Sequence, residues 1–357
     1  MYYPYPPPMY PRQWVVPPPP TPEELERKEI RRAGNLLGWG LLALTLISVA
    51  FSLVIGLVVV INEDFGVWIN GVLNDAFGQL AFNVALTVPV FTIPFYFAVR
   101  TLQKDGRQGI LLYGKPKTQA LAPVLCVALG LCMLGNFATD ILYQILNTVH
   151  LPPYAPELSV PPGWEGKVFF AISVAVCPAL VEEFAFRGAI LGALRKHGDL
   201  PAIFISAMFF AAMHGNMVQA PFAFIVGIGL GWAVCVTESV WTGVIIHFIN
   251  NFMSCQFSYL EGYVDDNRLY IYMTVYAIAL LSLGIIGLVI SAPDHDFLKL
   301  RRGTELLSDK QKIGAFLKAP AVVVASILFS LTLFFSLFYA PLQELMNSLT
   351  EYSNSLY

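Results

Sequence analysis

Apolar runs dominate the chain and are broken at intervals by short polar segments. The runs cover roughly 37–61, 78–99, 120–146, 168–195, 201–214, 219–237, 240–256, 270–291 and 319–340. A helix needs about 20 such residues to cross a hydrocarbon core of about 30 Å. The pattern predicts an all-α polytopic membrane protein, a bundle of about eight to nine transmembrane helices. The fifth and seventh runs are short, which sets the lower number. Ahead of them, TPEELERKEIRRA over 21–33 predicts a short charged helix with Thr21 as N-cap and Pro22 at its first position. The chain divides into a tail and charged helix (1–35), N-terminal spans (36–160), a central group of spans (161–260) and C-terminal spans with a basic loop (261–357). No internal repeat is visible.

Composition agrees: 56% of the 357 residues are hydrophobic and 13% charged, too few charges for the surface of a soluble domain of this length. Charge placement predicts orientation, because cytoplasmic loops retain Lys and Arg. Arg12, Arg27, Lys28, Arg31 and Arg32 form one group, Arg100 to Lys117 a second, Arg195 and Lys196 a third, and Lys299 to Lys318 the last. The alternate loops hold only Lys167 and Arg268. A cell-membrane protein with its N-terminus in the cytoplasm and its C-terminus outside satisfies the rule. Its expected partner is the bilayer, and no nucleic acid. The opening MYYPYPPPMYPRQWVVPPPP has no apolar signal core and predicts a polyproline-like cytoplasmic tail. All five cysteines (Cys126, Cys132, Cys177, Cys235, Cys255) fall in spans without metal-type spacing and are expected as buried thiols.

Against this background VEEFAFRG over 181–188 stands out. One charge at mid-span costs about 2.5–3.5 kcal/mol, so three unpaired charges cost on the order of 8–10 kcal/mol. Glu183 and Arg187 are one turn apart and can pair. Glu182, about 100° round the helix, has no basic neighbour in its own span. Pro178 removes a backbone donor four residues earlier. A packing ion pair accounts for Glu183 and Arg187 but not for Glu182, which points to function. FFAAMHGN places Phe210 and His214 one turn apart in the fifth span, and GVIIHFINN places His247 and Asn251 one turn apart in the seventh. Glu182 and His214 each lie 16 residues from the turn near 198, about 24 Å up their helices. His247 lies about 12 Å above the next turn and Asn251 about 18 Å, so one pocket holds all of them if the first hairpin protrudes.

Glu182, Glu183 and Arg187 (EExxxR), Phe210 and His214 (FxxxH), and His247 and Asn251 (HxxxN) occur in that order on successive spans. The set resembles the CPBP (Abi) family of intramembrane endopeptidases, which includes the CAAX prenyl proteases, over roughly 165–257. The resemblance implies a protease core at 161–260 and a peptide-bond hydrolase with its cavity open to cytoplasm and bilayer. It implies Glu182 as general base, His214 holding the water, His247 and Asn251 facing the oxyanion, and Glu183 with Arg187 bracing the helix. No cofactor is expected on this mechanism. The alternative is a zinc enzyme with Glu182, His214 and His247 as ligands, although no HExxH is present. Two other classes remain: a transporter or proton relay, disfavoured by the lack of repeated halves, and a non-catalytic immunity or scaffold protein.

Overall fold

The computed structural model describes residues 18–104, 106, 113–151, 158–291, 299–338, 341–342 and 346. The expected polyproline-like tail over 1–17 therefore lies outside the described residues, as does most of the C-terminal tail. Among the described residues there is no β-strand. The chain runs through α1 (Pro22–Ile61), α2 (Glu63–Asn74), α3 (Ala76–Lys104), α4 (Thr118–Thr148), α5 (Gly163–His197), α6 (Asp199–Met213), α7 (Gln219–Thr237), α8 (Val240–Leu260), α9 (Asp266–Ser291), α10 (Asp309–Leu317) and α11 (Pro320–Ser336).

Each apolar run of the sequence falls on one of these helices. Six are long and apolar enough to cross a bilayer (α1, α3, α4, α5, α7 and α9), and seven if α10 and α11, bent by 82°, count as one span. The two expected spans outside that count are the short ones. α6 has 15 residues, and α8 has 21 but carries His247, Asn250 and Asn251. The chain is a multi-pass membrane protein.

At the N-terminus the structure corrects the expectation. Thr21 and Glu24 form a capping box with Pro22 in the first turn, but the charged segment is not a helix of its own. It continues into the first span as one helix of 40 residues. A single buried stripe explains the continuity: Glu26, Ile30, Ala33, Leu37, Leu41 and Leu44 follow at helical spacing across the supposed boundary.

Two features of the packing position the site. Helix α5 sits centrally, against α3, α6, α7 and α8. Outside it, α4 and α9 approach backbone to backbone, since a Cβ on Gly130 would stand 2.9 Å from the Gly284 Cα. Small residues at crossings of this kind give membrane helices their dispersion contacts where lipid supplies no hydrophobic drive.

The basic end is cross-tied. Arg195 pairs with Asp199 at 2.8 Å and donates to the Cys235 carbonyl at 2.7 Å. The Arg301 amide donates to Asp199 Oδ2 at 2.9 Å. Lys117 pairs with Glu238 at 3.1 Å, Arg301 with the same carboxylate, and Lys196 with Glu29. The loops that share basic character in the sequence thus meet at one end of the bundle.

Candidate active site

Helix α5 is irregular where the carboxylates lie. Its hydrogen bonding widens to i→i+5 over Ile172–Val176 and again over Phe184–Leu191, on either side of Cys177–Glu183. Pro178 accounts for the first widening, because it lacks an amide hydrogen and its ring crowds the carbonyl four residues back. That carbonyl belongs to Val174, and it accepts a hydrogen bond from Asn251 Nδ2 on α8 at 3.1 Å. Widened turns re-aim side chains and are frequent at functional sites.

The expected ion pair is present. Arg187 Nη1 donates to Glu183 Oε1 at 2.7 Å, with neither side chain exposed. Arg187 is the largest of the fully buried side chains. Its Nη2 donates to the Gly227 carbonyl of α7 at 3.2 Å, and its guanidinium lies 4.3 Å over the Phe210 ring. Gly243 of α8 lets the carboxylate in: a Cβ there would stand 2.6 Å from Glu183 Oε2.

His247 joins this pair from α8. Its Nδ1 lies 3.0 Å from the same Glu183 Oε1, while its Nε2 faces Glu182 Oε2 at 4.0 Å. A carboxylate only accepts, so Nδ1 carries the proton and Nε2 is the atom turned toward Glu182. His214 is fixed by similar logic: its Nδ1 lies 2.8 Å from the Phe210 carbonyl, which sets Nδ1–H and leaves Nε2 for chemistry. The Phe210 ring stands among them, 5.1 Å from the His214 ring and 5.7 Å from the His247 ring.

The structure thus brings Glu182, Glu183, Arg187 and His247 together, with His214 across Phe210. Asn251 lies one turn further along α8 with one amide hydrogen on Val174, and its Oδ1 accepts from Asn250 at 3.2 Å. Glu183 emerges with a second bond, to His247, which spacing along the chain does not reveal because the partners are 64 residues apart. Phe210 and Gly243 also escaped a role in the sequence reading. The signal for Gly243 was a small residue one turn before His247. For Val174 it was the position four before Pro178.

A zinc ion would need Glu182, His214 and His247 to converge. Among the described residues no three of His, Cys, Asp and Glu are grouped closely enough to hold a metal ion. No step below passes through a metal.

Fold and site together define a polytopic helical membrane protein with a buried Glu–Glu–Arg–His cluster at the centre of its bundle. Residues 164–253 match the family model described as Type II CAAX prenyl endopeptidase Rce1-like. The segment is similar to that family, in agreement with the CPBP resemblance, and it contains all seven residues of the three motifs. No curated protein and no solved structure matches the chain.

Proposed function

We propose that the protein is an intramembrane endopeptidase that hydrolyses peptide bonds of peptide or membrane-protein substrates with a water activated by Glu182 and His214. One observation carries the reading. Glu183 bears both Arg187 and His247, while Glu182 forms no ion pair within its own helix and looks onto Nε2 of His247 at 4.0 Å. Two adjacent carboxylates therefore hold different jobs, one structural and one available for proton transfer.

In this mechanism Glu182 takes the proton of the attacking water and later delivers it to the leaving amine. His214, held through Nδ1–H, accepts a hydrogen bond from that water at Nε2. His247 donates from Nε2 to the developing oxyanion in its doubly protonated form, for which Glu183 is the counter-charge. Asn251 has two amide hydrogens, and the one not given to Val174 serves the same oxyanion. The test is hydrolysis of a peptide library by purified protein, run beside a variant without the Glu182 carboxylate. No cleavage by the wild type under any lipid or detergent condition would remove the proposal.

Asn251→Ala separates this mechanism from a zinc enzyme. The loss of an oxyanion donor costs about 10²–10³ in turnover, and Asn is a poor zinc ligand. Turnover should therefore fall by that factor, while the wild type keeps full activity in chelator. One equivalent of zinc per active protein, lost with His214→Ala, would sink the glutamate mechanism.

The cross-tied basic end is assigned to the cytoplasm by the distribution of Lys and Arg. His247 follows Val240 by seven residues, so the site lies about 10 Å from that end of α8. A single cysteine at Pro162 should react with impermeant maleimide from outside the cell, and one at Thr304 only after lysis. Labelling of both from the same side would overturn this orientation.

A further inference from the structure

Between Leu200 and Thr237 the sequence holds no Asp, Glu, Lys or Arg. The hairpin of α6 and α7 turns inside this stretch, at His214 to Val218, and no residue of the turn is exposed. A half-buried turn at membrane depth must find partners for its backbone polar groups within the protein. Asn216 meets part of the demand, accepting from the Gln219 amide at 2.8 Å and donating to the His214 carbonyl at 3.3 Å. The His214 and Gly215 amides donate to the Ala211 and Ala212 carbonyls at 3.3 and 3.2 Å, and two further bonds come from helices outside 164–253. The Met217 amide donates to Ser336 Oγ of α11 at 3.2 Å, and Thr139 Oγ1 of α4 donates to the Val218 carbonyl at 3.2 Å. Gly215, at φ +69°, packs beside Thr332: a Cβ there would stand 3.3 Å from its methyl group. The chain direction at His214 is therefore held from two sides by hydroxyls of helices outside the matched segment.

We propose that Ser336 and Thr139 are positioning residues that fix the turn and thereby the imidazole of His214. The inference rests on the proposed role of His214 for its consequence, but not for its geometry. Ser336 serves both purposes, since its own hydroxyl hydrogen goes to the Leu333 carbonyl at 2.7 Å and its oxygen is thereby aimed at Met217. Without the two hydroxyls the turn has to find other partners, and the imidazole moves with it.

The experiment uses full-length protein with ¹⁵N-labelled histidine. Five histidines make assignment by substitution practicable, with His214 identified by its loss in His214→Ala. Ser336→Ala with Thr139→Val should change the His214 ring signal from one Nδ1–H tautomer to a mixture. Hydrolysis should fall by up to about 100-fold, the cost of a displacement near 1 Å, in kcat and not in KM. Ser336→Thr, which keeps the hydroxyl, should lose neither on the Thr139 wild-type background. A wild-type His214 signal in the double variant would overturn the inference, whether or not stability and activity decline. If the signal shifts but the wild type hydrolyses nothing, the positioning stands and the proposed function fails.

Discussion

Glu182→Gln should lower peptide hydrolysis by about 10²–10⁴, the usual contribution of a general base, with little change in folding. The glutamine keeps the shape and most of the hydrogen bonding of the carboxylate but cannot take up a proton. Its stability cost is small because Glu182 forms no ion pair within α5. It faces His247 Nε2 at 4.0 Å, beyond hydrogen-bonding distance. The measurement is turnover per folded protein, with thermal unfolding in the same detergent as control. Turnover like the wild type would remove Glu182 from the mechanism and leave the buried cluster as packing alone.

Glu183→Ala should act first on stability. It strands Arg187, which is wholly buried, with only the Gly227 carbonyl and the Phe210 ring as partners. Breaking a buried pair costs about 3–5 kcal/mol, so a lower melting temperature and poor yield should accompany any loss of activity. Replacing both members tests the two duties of Glu183 separately. Glu183→Leu with Arg187→Met removes the buried charges together and should recover most of the stability. Hydrolysis should not recover, because His247 Nδ1 has lost the acceptor that orients it. A stable and active double variant would reduce Glu183 to a brace, and a stable but inactive Glu183→Ala would show that it braces nothing.

Much of the site is legible in local spacing. Glu183 and Arg187 are neighbours because a helix brings i and i+4 together, and the ion pair is found at 2.7 Å. Phe210 with His214, and His247 with Asn251, share the same logic. Height along the helices suggested that the three spans meet at one level, and Glu183 does touch His247. For that contact α5 must run on past the start of α8 at the basic end, as a protruding hairpin requires. The N-terminal boundary was misread for the opposite reason. A change in charge marks where the environment changes, whereas the buried stripe from Glu26 to Leu44 keeps one helix going through it.

The sequence by itself determined that the chain is helical and spans a membrane, which end of the bundle collects the basic loops, and which polar residues lie inside. These properties depend on the solvent each residue meets and on spacing within a single helix, and both are written along the chain. Only the tertiary structure decided which carboxylate Arg187 and His247 share, that Asn251 answers the carbonyl crowded by Pro178, and that Ser336 and Thr139 hold the turn after His214. Those pairings join residues 64 to 119 positions apart, apart from the local Glu183–Arg187 pair. They arise because every polar group buried in the bundle needs a partner, and which partner it finds depends on how the helices pack.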